Sequence, residues 1–110
     1  MQSAEDFMKT FFRARTAEVR RELEAHTPFR DMFFAQDCAW DSRRRSVERS
    51  ESEAIVEVST AGMKAEVITR EIDPFPRLRY TLRRKDDTWL IQRVDVEFQK
   101  GKWTVYGDRT

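Results

Sequence analysis

The sequence predicts an α+β domain, with a long N-terminal helix and a short second helix packed on one face of an antiparallel sheet of four to five strands. Three observations carry this. Arg77 to Gln99 holds two runs of strand-like alternation joined by Lys85-Asp86-Asp87-Thr88, a polar turn. From Ser52 onward the pattern is also β, with a glycine turn at Thr60-Ala61-Gly62. Residues 3–26 instead repeat apolar side chains at helical spacing, with no glycine or proline to break the run. Helices followed by a meander of strands give segregated layers. No repeat, linker or low-complexity segment divides the chain, so residues 1–110 read as one domain.

The first helix has a start signal. Ser3 suits the N-cap, and Glu5 and Asp6 place negative charge in the first turn. Met8, Phe11, Phe12, Val19 and Leu23 form a core-facing stripe, with Arg15, Glu22 and His26 in or beside it. Lys9, Arg13, Arg20 and Glu24 take the opposite side. Thr27-Pro28 restarts the chain as N-cap and first helical residue. Phe29, Met32 and Phe33 then predict a short helix over 28–35 with an aromatic side to bury. Asp37 to Ser42 reads as a loop anchored by Trp40, and Arg43 to Arg49 as a polar edge strand or short helix.

In the β half, Ala54, Val56 and Val58 alternate with Ile55, Glu57 and Ser59, and Met63, Ala65 and Val67 with Lys64 and Glu66. Asp73-Pro74-Phe75-Pro76 leaves the sheet, because proline cannot donate to a ladder. Leu78, Tyr80 and Leu82 share one face of the next strand. Strict alternation then puts Leu90, Val94, Val96 and Phe98 on one face, interrupted by Gln92, with Trp89 and Ile91 opposite. Lys100-Gly101 predicts a turn before a short edge strand or tail at Trp103 to Tyr106.

Composition narrows the function classes. Charged residues make up 37%, yet 21 basic and 20 acidic residues leave a formal net charge of +1, no advertisement for a polyanion. The single cysteine, Cys38, allows no internal disulfide and fits a reducing compartment. No apolar run approaches the roughly 18 residues of a membrane span. The acidic N-terminus lacks a signal peptide's basic flank, so a cytoplasmic location is expected.

The segment RLRYTLRRKDDTWLIQRVDV, an alternating strand ending in R-Y-x-L, a polar turn and then W-L-I-x-x-V-D, follows an N-terminal aromatic helix. That combination resembles the nuclear transport factor 2-like superfamily, and the likeness covers the whole chain in element order. Its specific part, Arg79 to Asp95, is a packing signature and not a catalytic motif. The resemblance implies a cone, a strongly curved antiparallel sheet wrapped around helices, with a cavity that a chain this short would reduce. It implies homodimers through the outer sheet face. Members include SnoaL-like cyclases, ketosteroid isomerases, dehydratases, dimerising adaptors and toxin-immunity proteins, so the fold alone selects no function.

The candidate residues divide accordingly. For acid–base chemistry they are His26, Asp37, Asp41 and Tyr80: the only histidine, two loop carboxylates near an aromatic wall with Asp31 beside them, and a phenol. Capping and loop hydrogen bonds are the commoner role of such aspartates. A Cys38–His26 nucleophile pair has no flanking motif in support, and a lone cysteine is more often a small buried hydrophobe. Arg43-Arg44-Arg45 and Arg49 are offset by Glu48, Glu51 and Glu53, which favours a solvated edge over nucleic-acid binding. No metal-ligand spacing occurs, and no cofactor is expected. Arg15 in the apolar stripe either reaches water or pairs inside the cone with an acid such as Glu22 or Asp95. With Trp40, Tyr80 and Trp89, Arg15 and Asp95 would line a ligand site. The expectation is a non-catalytic binding or protein-interaction module, possible partners being a protein of the toxin–immunity kind or a small hydrophobic ligand. The alternative is a SnoaL-like isomerase, cyclase or dehydratase acting on a small hydrophobic molecule.

Overall fold

The structure, a computed structural model, describes residues 2–20, 29–38, 52–72 and 76–106. Helix α1 covers Ala4–Arg20 and α2 covers Phe29–Phe33. Five strands follow: β1 Ile55–Ala61, β2 Lys64–Thr69, β3 Leu78–Lys85, β4 Thr88–Gln99 and β5 Lys102–Val105. They form one sheet in the order β1-β2-β3-β4-β5, every neighbour antiparallel. The helices pack on one face of this open sheet, so the α+β class holds. Among the described residues no helix is long and apolar enough to cross a membrane.

Ser3 caps α1 as its sequence predicts: its Oγ accepts from the Asp6 N–H at 3.1 Å. The buried side of α1 is Ala4, Phe7, Met8, Phe11, Phe12 and Arg15. The predicted continuation of this helix to residue 26 lies outside the described residues. In α2 the apolar side differs from expectation. Met32 is 61% exposed, while Phe33 and Phe34 are buried. The helix stops at Phe33, and the chain then extends: Phe34 bridges Ile91 and the Ala35 N–H donates to the Ile91 carbonyl at 2.8 Å. Leaving the helical period lets two consecutive phenylalanines face inward.

Three of the four antiparallel connections are tight two-residue turns, at Gly62-Met63, Asp86-Asp87 and Lys100-Gly101. Gly62 stands at φ +62°, so the first hairpin turns one residue later than the sequence suggests and Met63 is exposed in the turn.

Two corrections come from β-bulges. In β3–β4, Leu82 pairs with Ile91 but Thr81 with Arg93, which leaves Gln92 as an extra residue. An extra residue reverses the alternation. Trp89 and Ile91 therefore face the helices together with Val94 and Val96, and all four are buried, whereas Leu90 is half-buried. In β1 the register shifts between Ile55 and Glu57. Ile55 packs against the core, and Val56 and Val58 are 57% and 37% exposed. Phe98, predicted to join the inner face, lies within a further register shift, between Val96 and Gln99, and is 73% exposed.

Aromatic rings fill the space between helices and sheet. Trp89, Tyr80, Phe11, Met8, Leu82 and Ile91 are fully buried. Phe11 meets Phe33, Phe34 and Tyr80 edge-on at 5.4–5.9 Å between centroids, the arrangement that ring quadrupoles favour.

Candidate functional site

A polar cluster sits inside this aromatic layer. Arg15 comes from the inner side of α1, Tyr80 from the inner face of β3, and Glu53 from the residues just ahead of β1. Glu53 is in phase with the inward-facing Ile55 two positions on. The Arg15 Nη2 donates to Glu53 Oε1 at 2.6 Å, and its Nη1 to the Tyr80 hydroxyl at 3.2 Å. The Tyr80 hydroxyl in turn donates to Glu53 Oε2 at 2.8 Å. The guanidinium carbon lies 5.1 Å and 5.2 Å from the ring centroids of Phe11 and Phe12. Among the buried side-chain nitrogen and oxygen atoms of the described residues, only Arg15 Nε lacks a hydrogen-bond partner.

Burial alone would lower the Arg15 pKa, but Tyr80 and Glu53 together outweigh it and raise the value above that of a free guanidinium. Arg15 is therefore a permanent cation held by a carboxylate. Both Glu53 oxygens are engaged, one by Arg15 and one by Tyr80. A carboxylate so occupied is a poor general base, since accepting a substrate proton would break a buried ion pair.

Glu22, one acid considered for Arg15, lies outside the described residues; Asp95, the other, faces the other way. It lies opposite Arg79 on the outer side of the sheet, one residue out of phase with the inward pair Tyr80 and Val94. Its Oδ2 accepts from Arg79 Nη2 at 3.2 Å and its Oδ1 from Arg93 Nε at 2.8 Å, and the carboxylate is 1% exposed. Trp103 of β5 covers this ladder, 4.7 Å from the Arg79 guanidinium and 5.3 Å from that of Arg77. Arg77 grips Glu97 with two hydrogen bonds of 3.0 and 2.9 Å, and the Gly101 N–H adds a third at 3.0 Å. The Arg77 bonds, then the Gly101 N–H, lower the Glu97 pKa to about 2. An open cleft of about 450 Å³ runs along this face past Lys64, Thr81, Arg93 and Asp95.

A second cleft, of about 690 Å³, opens between the end of α2 and the β3–β4 hairpin, bordered by Asp31, Asp37, Arg83, Arg84, Lys85 and Leu90. Asp37 is exposed there. Trp89 borders neither of these clefts. Its ring is 1% exposed, its Nε1 donates to the Gln2 carbonyl at 3.0 Å, and the Arg84 guanidinium lies 4.6 Å from its ring. Tyr80 is wholly buried in the Arg15–Glu53 cluster. Cys38 is buried. His26, Trp40, Asp41 and the Arg43-Arg44-Arg45 run lie outside the described residues, and with them the Cys38–His26 pairing. Among the described residues no three His, Cys, Asp or Glu side chains gather as metal ligands.

Sequence reasoning missed Glu53. Its signal was present: an acid in phase with an inward strand residue, and an arginine in an apolar helical stripe that needs a counter-charge. No protein-family model, curated protein or solved structure matches this chain.

Proposed function

We infer that this chain is a nuclear transport factor 2-like domain acting as a non-catalytic protein-interaction module, with the outer face of its sheet as the contact surface. One observation carries the reading: the interior carboxylate Glu53 is closed off by Arg15 and Tyr80, while an ordered array of arginines, acids and a tryptophan stands on the outside. Tryptophan and arginine are the residues that most often dominate binding energy at protein interfaces. A protein that neutralises a partner, of the toxin–immunity kind, uses such a surface and needs no interior chemistry. The resemblance also implies a homodimer through this face. Placed on the outer face, a second copy would set one ladder of already paired charges against another, at a desolvation cost nothing repays. That face is better suited to a partner that brings complementary charge.

The test uses the purified chain as bait in extract of its native host, beside an Arg79→Ala/Trp103→Ala variant. A partner retained by the wild type and lost by the variant supports the proposal. A partner retained equally by both removes the outer face from it. The rival reading, a SnoaL-like acid–base enzyme on a small apolar substrate, has one observation in its favour: Asp37 borders the 690 Å³ cleft. Turnover of such a compound by the chain alone, abolished by Asp37→Asn, would replace the interaction reading with this one.

A further inference from the structure

The two edges of the sheet are unequal. β5 is four residues long and begins with Lys102, two devices that discourage pairing with another sheet. β1 is seven residues long, Ile-Val-Glu-Val-Ser-Thr-Ala, with a single charge at Glu57 and neither lysine nor proline. Among the described residues no strand lies against its outer edge. Ala61 and Lys64 close a two-residue turn, and counting back along an antiparallel ladder gives the direction of each peptide group. Ser59 exchanges hydrogen bonds with Glu66 of β2, whereas Val58 and Thr60 point their N–H and C=O groups away from the sheet. Three apolar side chains on this strand and its turn are exposed: Val56 at 57%, Val58 at 37% and Met63 at 62%.

We propose that β1 pairs antiparallel with β1 of a second copy about a two-fold axis at Ser59, joining two sheets into one. The sequence is what selects a second copy and this register. Centred on Ser59, the unbulged run Glu57–Ala61 meets itself with Ser59 opposite Ser59, Val58 opposite Thr60 and Glu57 opposite Ala61. The only carboxylate of the strand then faces a methyl group. A register centred on Glu57 would set the two carboxylates against each other and draw the bulge into the ladder. The Val58–Thr60 pairs lie on the inner face and recur twice, and the Gly62-Met63 turn of each copy comes beside the exposed Val56 of the other. The outward N–H and C=O groups of Val58 and Thr60 gain partners, while the outer faces of the two copies become one continuous surface. The pairing goes beyond the interaction reading and does not rest on it, since the residues proposed for the partner are on another part of the sheet.

Cysteine crosslinking tests the register in a Cys38→Ala background. The Ser59 pair is a non-hydrogen-bonded one, with Cα atoms about 4.5 Å apart, within disulfide reach. Under mild oxidation Ser59→Cys is expected to give a covalent dimer. Glu57→Cys is expected to stay monomeric, since its copies would stand roughly 13 Å apart along the strands. Sedimentation of the wild-type chain is expected to show a dimer. Thr60→Pro, which removes only an outward N–H, is expected to convert it to a folded monomer with an unchanged circular dichroism spectrum. A wild-type chain monomeric at high micromolar concentration overturns the proposal. So does a Thr60→Pro variant that remains dimeric, or crosslinking of Glu57→Cys as fast as Ser59→Cys. None of these results bears on whether an Arg79→Ala/Trp103→Ala variant loses a partner.

Discussion

Leu82 and Ile91 stand directly opposite each other on the inner face of the sheet, and immediately beyond them the pairing slips by one residue, so that Thr81 faces Arg93. The extra residue, Gln92, lets two apolar pairs of opposite sequence parity enter the same core. Trp89 and Ile91 come from one side of the bulge, Val94 and Val96 from the other.

Deleting Gln92 restores strict alternation and forces one of these pairs toward solvent. With roughly 1.5–3 kcal/mol lost for each large side chain exposed, the deletion is expected to cost about 3–6 kcal/mol, enough to unfold a small domain. Gln92→Ala, which keeps the residue count, is expected to stay within about 0.5 kcal/mol of the wild type. Urea denaturation followed by tryptophan fluorescence measures both. Equal stability of the deletion variant and the wild type would show that the bulge does not set the inward face.

Arg15→Met leaves the Glu53 carboxylate buried without its counter-charge, and breaking such a pair typically costs about 3–5 kcal/mol. Replacing both partners, Arg15→Met with Glu53→Leu, is expected to recover most of that loss. Denaturation midpoints of the two single variants and the double variant give the coupling. Additive losses would mean that the two side chains act independently.

Tyr80→Phe removes the hydroxyl that bridges Arg15 Nη1 and Glu53 Oε2 while keeping the ring at the centre of the aromatic layer. The expected loss is about 1–3 kcal/mol, the cost of leaving buried polar atoms unpaired. Because the ring packing survives, the near-ultraviolet circular dichroism spectrum is expected to persist below the lowered midpoint.

Glu97 supplies a pH dependence. Its pKa is lowered from 4.5 to about 2, first by the Arg77 hydrogen bonds and then by the Gly101 N–H. A depressed carboxylate pKa gives stability that is complete above the unfolded value and is lost as pH falls through the folded one. The contribution therefore fades between pH 4.5 and about pH 2. Carboxyl-carbon NMR titration is expected to place the Glu97 midpoint near the lower limit, and Arg77→Met to return it toward the ordinary carboxylate range. A wild-type midpoint near 4.5 would mean that the bidentate contact does not persist in solution.

Gly62 isolates a backbone effect. Its φ is +62°, and a Cβ built there meets nothing within 4 Å. Any loss in Gly62→Ala is then conformational, expected at about 1 kcal/mol. Gly62→Asn is expected to lose less, because asparagine tolerates left-handed backbone. A calorimetric Tm unchanged in both variants would mean that the turn relaxes to another type.

Much of the architecture was legible because local chemistry repeats along it. Ser3 with Glu5 and Asp6 marked the start of α1, the Met8, Phe11 and Phe12 spacing marked its buried side, and alternation at Leu78, Tyr80 and Leu82 marked β3. Errors came where one residue breaks a period. Gln92 is an ordinary polar residue, and nothing in its type says that the ladder skips it. The same holds for Val56, an apolar residue of an alternating run that is exposed beside a bulge.

Short-range preferences of this chain thus settled which segments are helix and which are strand, since capping, turn chemistry and apolar spacing act over a few neighbouring residues. Which face each strand residue presents, and which acid meets Arg15, was decided only on assembly. The partners Glu53 and Tyr80 are 38 and 65 positions away, and a single bulge at Gln92 turns Trp89 inward. Those outcomes depend on how the sheet registers against the helices, a property of the packed whole that no local stretch contains.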